Sequence, residues 1–395
     1  MNDLSPDPVP IAQNLIRCPS VTPAEAGALD YLEGVLKQAG FKTWRVLFSG
    51  DNSYEVDNLY ARFGTGAPHF CYAGHSDVVP VGDAAAWTHD PFGAEITDGK
   101  LYGRGAEDMK ASVAAFTASA IHFIRENPDF GGSISLLITN DEEADSINGT
   151  VKLIEWAHQR NEAIDACIVG EPTNDTSIGT IIKNGRRGSL TARLNVEGVQ
   201  GHVAYPERTV NPITMALPLL SALVNVPFDQ GSAHFPPTNL EFSSVDVGNP
   251  ATNVVPARLS ARFNVRFNDN WNAASLEAEI ARRLKVAAPE GARYELIVTK
   301  PVSDVFLTEA PTLLAPLQDA IHEVTGRRAE LSTGGGTSDA RFIKNYCPVV
   351  EFGLIFNTLH QVDEHTPVED IRTLARIYLA FLNRYFMRGD AGCAR

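Results

Sequence analysis

Between Lys183 and Lys300 the pattern of the chain changes, and this change limits the possible folds more than any other feature. Before it, helix-like and strand-like stretches alternate. "AEAGALDYLEGVLKQAG" spaces its apolar residues by three and four and stops on Gly40, where a helix end favours glycine. "NLYARF" and "PHFCYAGHSDVV" read as strands, "MKASVAAFTASAIHFIREN" as a long amphipathic helix and "GSISLLITN" as a strand. "GTVKLIEWAHQRN" then reads as a helix and "DACIVG" as a strand. Such alternation predicts a mostly parallel sheet flanked by helices. From Asn184-Gly185, a tight-turn pair, the order becomes strand, helix, strand, strand, helix, strand: "SLTARLNVEG", "NPITMALPLLSALVNV", "NLEFSSVDVG", "ARLSARFNVRFN", "NAASLEAEIARRLKVAAP" and "RYELIVTK". That β-α-β-β-α-β order is a complete ferredoxin-like unit. The first pattern returns with "APTLLAPLQDAIHEVTG", "CPVVEFG" and "EDIRTLARIYLAFLNRYF". The expected architecture is an α/β domain of residues 1–183 and 299–395 carrying an inserted domain of residues 184–298. A length of 395 residues suits two domains.

Composition narrows the partners. A formal charge of −15 argues against nucleic acid and anionic membrane, neither of which attracts an acidic surface. A few placed arginines could still reverse the field locally for a small anion. No apolar run approaches the roughly 20 residues that span a bilayer, and no early segment joins a basic start to an apolar core. A cytoplasmic protein without a signal peptide is the expectation. Cys18, Cys71, Cys167, Cys347 and Cys393 are odd in number and never form C-x-x-C, the usage of reduced thiols packed as small hydrophobes.

Acids and histidines gather where strands of the α/β pattern end: "AGHSDVVP" (His75, Asp77), "GRGAEDMK" (Asp108), "NDEEAD" (Asp141, Glu142, Glu143) and "VGEPT" (Glu171). "NTLHQVDEHTP" adds His360. The carboxyl ends of strands line the ligand crevice of an open parallel sheet, so residues far apart in sequence can converge there. Each stretch alone reads more readily as a solvated strand end; the recurrence within one domain makes the case. Imidazoles and carboxylates without cysteine form a nitrogen/oxygen set suited to zinc, with cobalt or manganese as substitutes. The set exceeds what one zinc ion and a water require, and two metals sharing a carboxylate would use it. Adjacent residues point in different directions, so one of Glu142 and Glu143 could bind metal while the other faces the water as general base. Asp77, two residues from His75, could orient that imidazole. His69, His89, His122, His158, His234 and His322 lie in no such context, and His365, five residues after His360, stays open.

Taken together, "GHSDVVPVGD", "GRGAEDMK", "NDEEAD", "GEPT" and His360-x-x-x-Glu364 resemble the co-catalytic di-zinc aminoacylase and carboxypeptidase family. "IKNGRRGSL", "VQGHVAYPE", "NVVPA" and "LSTGGGTSDARFI" extend the resemblance over nearly the whole chain. It implies that Asp108 bridges two zinc ions, that His75 and Glu171 complete one set, and that Glu143 and His360 complete the other. It puts Glu142 at the general base and Asp77 behind His75. It also implies a homodimer formed through the inserted domain, which acts as a lid, with His202 reaching the partner's active site to stabilise an oxyanion. The expected reaction is hydrolysis of an N-succinyl amide of a diamino acid. Arg186, Arg187, Arg266 and Arg341 are forked donors suited to such carboxylates, although "GRRG" also reads as a solvated hairpin. The glycine run ending at Thr337 precedes a helix start, where free N–H groups receive anions. Ser189, Tyr205 and Asn253 are further implied substrate contacts.

Two departures from the family pattern stand out. Ser76 replaces a common threonine, and Glu107 brings a carboxylate beside Asp108 where a small residue is usual, with an expected effect on metal affinity. The nearest alternative is the same chemistry on an acetyl group. A metal-binding protein without catalysis would have lost Glu142, which is present, and a nucleotide-binding fold would need a G-x-G-x-x-G or Walker-type loop, which is missing.

Overall fold

The computed structural model describes residues 7–300 and 302–387. Cys393 lies outside the described residues. The chain divides into two compact units. The larger comprises Met1–Asn184, Thr308–Ser332 and Ser338–Arg395, and the smaller comprises Gly185–Leu307 and Thr333–Thr337.

The larger unit is built on an eight-stranded sheet. Its centre is parallel: Ser133–Thr139, His69–His75, Ala166–Val169 and Val349–Glu351 run side by side in the same direction. Ser133–Thr139 and His69–His75 are buried at every position, as a strand covered on both faces must be, which explains their uninterrupted apolar character. The sheet as a whole is mixed, because the hairpin Lys42–Gly50/Ser53–Gly64 adds antiparallel strands at one edge. Only part of that hairpin, the "NLYARF" strand, is visible in the sequence pattern. Lys42–Gly50 is exposed or half-exposed at all positions but one, so it lacks the apolar run of the central strands. Its turn left a signal, however: Asp51 and Asn52 both have positive φ (56° and 58°), as a type I′ hairpin turn requires.

One face of the sheet carries the main core. Phe70 and Tyr72 pack there with Phe116 of Lys110–Glu126 and with Tyr378 and Phe381 of Val368–Met387. The Tyr72 and Phe116 rings stack at 4.2 Å. Thr150–Gln159 and the short helix Ala340–Ile343 belong to the same unit. The layout leaves the carboxyl ends of the parallel strands, at His75, Thr139 and Val169, to lead into the loops that hold the candidate site.

The smaller unit has a four-stranded antiparallel sheet in the order Asn239–Asp246, Arg258–Phe267, Gly188–Glu197, Arg293–Val298. Strict alternation in Gly188–Glu197 buries Leu190, Ala192, Leu194 and Val196. These pack with Leu219 and Leu223 of Pro212–Val224 and with Leu276, Ile280 and Leu284 of Ala273–Ala287. The return to the larger unit falls at Thr308, later than the expected 299, because Phe306–Leu307 pairs with Gly185–Arg186 and Ser303 bridges Ser189. The glycine-rich Thr333–Thr337 also groups with the smaller unit, which strand and helix patterns alone could not indicate.

Candidate active site

Asp141, Glu142 and Glu143 follow a buried strand, and each takes a different direction. Asp141 is fully buried. Its carboxylate accepts the Tyr54 hydroxyl (2.5 Å) and the N–H groups of Ser146 (3.1 Å), Ile147 (2.9 Å) and Asn148 (3.0 Å). It shapes the loop and is fully occupied by it. Glu143 turns to His360, and Glu142 to the neighbourhood of His75 and Glu171.

His75, at the end of its strand, has Nε2 3.1 Å from Asp108 Oδ1 and 3.7 Å from Glu171 Oε1. His360 has Nε2 3.1 Å from Asp108 Oδ2 and 3.2 Å from Glu143 Oε1. Asp108 therefore offers one oxygen to each imidazole. Two ligands on a tetrahedral zinc ion, each about 2.1 Å from it, stand about 3.4 Å apart, so both sets have the spacing of atoms around a shared cation. Ligand atoms of His75, Asp108 and Glu143 lie within 4.8 Å of one another, and so do those of His75, Glu142 and Glu171. Glu171 Oε1 is buried without a hydrogen-bond partner. A cation would satisfy it, and the donor set fits such a cation.

The imidazole of His75 is held by Asp77, though not as expected. Nδ1 lies 2.9 Å from the Asp77 backbone carbonyl and 3.7 Å from its carboxylate. A carbonyl can only accept, so Nδ1 carries the hydrogen and the Nε2 lone pair is left for a metal. The Asp77 carboxylate instead accepts the N–H groups of Glu142 (3.2 Å) and Glu143 (3.1 Å), aligning the strand ends that carry His75 and Glu143.

The electrostatics of these buried carboxylates favour a positive charge among them. Burial pushes Glu171 and Glu142 well above the usual carboxylate range. The charges of Asp108 and Glu142 add to this for Glu171, and those of Asp339, Glu143 and Asp108 for Glu142, while His75 opposes it. Burial also raises Asp77, to about 6. Hydrogen bonds that its imidazole donates to Asp108 and Glu143 lift His360 to about 10. Burial disfavours a charged His75, yet the hydrogen bond and charge of Asp108 outweigh it and raise its pKa. Without metal the cluster gathers protons; a cation would take their place.

The 104–108 turn that presents Asp108 is fastened by Arg104, which carries no signal in the sequence, and by Glu364, which the sequence marks only as a spacing. Arg104 donates to Glu364 Oε2 at 2.6 Å. Glu364 Oε1 accepts the N–H groups of Gly105 (3.1 Å), Glu107 (2.9 Å) and Asp108 (3.3 Å). Gly105 has φ +88°, and a Cβ there would lie 2.8 Å from Val78 and 2.9 Å from the Lys110 side chain. The signal was present: Glu364 marks the family's spacing after His360, but spacing does not tell what the carboxylate holds. His365 is no part of the cluster. Its Nδ1 donates to the Asp363 carbonyl (2.8 Å), its Nε2 faces Lys100 (3.1 Å) and its ring lies against Tyr102.

The other candidates, Arg341 excepted, lie in the smaller unit. Arg186 donates to the Gly334 carbonyl at 3.0 Å, and a Cβ on Gly335 would lie 2.4 Å from its guanidinium. Gly335, at φ +102°, leaves room for this approach, and the loop bearing Thr337 lies against Arg186. Ser189 and Arg266 are directly paired across their strands. Elsewhere in this unit, His202 is exposed, accepts the Ala204 N–H at Nδ1 (3.1 Å) and has its ring 5.7 Å from that of Tyr205. The Asn253 carbonyl accepts the Val203 N–H at 3.1 Å. Arg341 belongs to the larger unit, with its guanidinium over Phe342 and Nε without a hydrogen-bond partner.

Known proteins resemble the chain in both sequence and fold. Succinyl-diaminopimelate desuccinylase of Methylorubrum populi is 55% identical over 98% of this chain and 100% of its own length. The protein of the same name from Nitrobacter hamburgensis is 53% identical over 97% of this chain and 100% of its own. Among solved structures, an M20 family metallo-carboxypeptidase of Sulfolobus solfataricus matches with a TM-score of 0.78 at 17% identity, covering 96% of this chain and 99% of that one. A dinuclear metal binding M20 peptidase of Bacillus subtilis matches with a TM-score of 0.68 at 15% identity, over 95% and 97%. The family model of peptidase family M20/M25/M40 matches residues 71–384, a span that runs from the strand of His75 past His360. The shared-carboxylate cluster described above thus lies wholly inside the matched region, and the chain belongs to peptidase family M20/M25/M40.

Proposed function

We propose that this chain is a di-zinc amidohydrolase that cleaves N-succinyl-LL-2,6-diaminopimelate to succinate and LL-2,6-diaminopimelate, a step toward lysine. The observation that carries the chemistry is Asp108, which turns one oxygen to His75 and the other to His360 at 3.1 Å each. The substrate assignment rests on relatives 53–55% identical over nearly their full lengths and named succinyl-diaminopimelate desuccinylase.

In this reading His75, Glu171 and one oxygen of Asp108 would hold one ion, and His360, Glu143 and the other oxygen a second. Zinc suits the ligand set best, with Co²⁺ or Mn²⁺ as substitutes. When bound, the ions lower the pKa of a water and polarise the amide carbonyl. Glu142, left over once each set is filled, takes the proton from that water as the new C–O bond forms. It returns the proton to the amide nitrogen as the C–N bond breaks, so that succinate and an amine leave. Asp77 keeps His75 in its working tautomer and holds the backbone of the general base. Arg186, Ser189, Arg266, Thr337 and Arg341 bind substrate carboxylates, with Tyr205 and Asn253 beside them.

The smaller unit would form a homodimer and send His202 to the partner's oxyanion. Support comes from its surface: Ile213, Leu217 and Val224 of Pro212–Val224 are exposed, and Asn239–Asp246 is an edge strand. Among the described residues no helix is long and apolar enough to cross a membrane. A cytoplasmic enzyme acting on a small anion, with no nucleic-acid or membrane partner, completes the reading.

The test is amide cleavage of N-succinyl-LL-2,6-diaminopimelate beside N-acetylornithine, before and after chelation and zinc add-back. Zinc-restored cleavage of the succinyl substrate alone is expected. Preference for the acetyl substrate would keep the metal chemistry and overturn the specificity.

A further inference from the structure

Glu107 is a buried acid beside the site for which the proposed reaction has no use. It is 3% exposed and adjoins Asp108, the position where an effect on metal affinity is expected. Its carboxylate is engaged elsewhere: Oε2 accepts the backbone N–H of Thr358 at 2.8 Å. Thr358 lies two residues before His360, in a loop whose side chains are largely exposed.

That loop has little packing to hold it. His360 has φ 60° and Asp363 φ 56°, both left-handed and costly for residues with a Cβ. Hydrogen bonds must therefore fix it. On its far side Glu364 reaches into the 104–108 turn and accepts the N–H groups of Gly105, Glu107 and Asp108. On its near side Glu107 reaches out of that turn and accepts the N–H of Thr358. Each loop sends a buried carboxylate to the other's backbone, and each carries one candidate metal ligand. Those ligands, Asp108 Oδ2 and His360 Nε2, stand 3.1 Å apart. The Thr358 hydroxyl extends the hold across the loop by donating to the His365 carbonyl (3.1 Å) and accepting the His365 N–H (3.0 Å).

We infer that Glu107 is a positioning residue for the second metal: with Glu364 it forms a reciprocal clasp that sets His360 against Asp108. This inference rests on the two-metal reading above. Glu364 is anchored by Arg104 and three N–H groups, so losing Glu107 frees only the near side of the loop. His75 and Glu171, on other elements, stay in place, and Asp108 keeps the N–H bond its turn makes to Glu364. What the clasp requires from residue 107 is a hydrogen-bond acceptor of the right reach, and a glutamine supplies that without the charge.

Two readouts on the full-length chain test this with Glu107→Ala and Glu107→Gln. The first is amide hydrogen exchange of segment 356–365 in chelated protein, which needs no metal. Exchange is expected to be faster in Glu107→Ala and at the parent rate in Glu107→Gln. The second is stepwise calorimetric titration with Co²⁺ alone. Loss of a residue supporting a ligand typically costs about 10–100-fold in metal affinity. That loss is expected in the second Co²⁺ equivalent of Glu107→Ala, with the first unchanged and the glutamine variant within about threefold of the parent on the same scale. Parent-like exchange in Glu107→Ala would overturn the clasp, whatever the metal stoichiometry. A glutamine variant as impaired as the alanine one would also overturn it, since charge and not the hydrogen bond would then be at work. A parent protein that binds only one Co²⁺, with the exchange result as expected, would instead overturn the two-metal reading and leave the clasp as the loop's support.

Discussion

The candidate metal ligands and the candidate substrate groups are held in different ways. In the larger unit each ligand touches another: His75 and His360 share Asp108, Glu143 meets His360, and Glu171 faces His75. Around them Asp77, Arg104 and Glu364 supply the backbone with partners, so the arrangement exists before any substrate arrives. In the smaller unit His202 and Tyr205 are exposed, Tyr205 at 53%, and their rings meet edge-on at 5.7 Å. Bond-making groups need geometry fixed to fractions of an ångström, and mutual contacts provide it. Recognition groups can remain on the surface until a ligand orders them, at some entropic cost on binding.

Substitutions can break this comparison. The largest expected effect is at Glu142, inside the organised cluster but outside the proposed ligand sets. Glu142→Gln should lower kcat about 10²–10⁴-fold, the usual worth of a general base, and retain both metal equivalents by elemental analysis. Unchanged turnover would remove it from the role of base. His202→Ala comes next, with a fall in kcat of about 10²–10³-fold, as for a lost oxyanion donor, and unaltered metal content. Metal loss in that variant would make His202 a ligand and erase the distinction between the two regions. Arg266→Ala should act mainly on KM for the succinyl substrate, roughly 10–150-fold, from a charge-assisted hydrogen bond worth about 1.5–3 kcal/mol. An equal effect on N-acetylornithine would show that Arg266 does not read the succinyl carboxylate.

The smallest effect sharpens the comparison through pH. His360 is raised to about 10 by Asp108 and Glu143, so in metal-free protein it carries a proton at neutral pH. A metal must displace that proton, and affinity should fall about tenfold per pH unit of acidification for each proton released. Calorimetry in buffers of different ionisation enthalpy counts those protons. For the metal-free fold the sign is the reverse. The stabilisation from charged His360 is complete below its unfolded value, near 6.5, and is lost as pH rises through about 10. A metal-free melting temperature that rises over that alkaline range would contradict the assignment.

What could be read from the sequence was whatever repeats or runs locally. The alternation of elements, the buried strands ending at His75 and Thr139, and the six elements of the smaller unit all left periodic signals. The convergence of acids at strand ends was legible because a parallel sheet directs its strand ends to one side. Illegible were jobs decided by hydrogen bonds between distant loops. Glu364 meets Arg104 across 260 positions and Glu107 meets Thr358 across 251, and no local pattern marks such pairs. Asp141 reads as one of three equivalent acids, yet three N–H groups of its own loop and the Tyr54 hydroxyl hold its carboxylate. Asp77 has the expected neighbour but works on His75 through its carbonyl, a detail that residue type cannot carry.

The claim at the centre is that Asp108 joins two metal positions. Crystals grown with zinc, measured at the zinc absorption edge, test it directly through anomalous difference density. Two peaks are predicted, one between Asp108, His75 and Glu171 and the other between Asp108, His360 and Glu143. A single peak, or two peaks that leave Asp108 out of contact with either, would contradict the account.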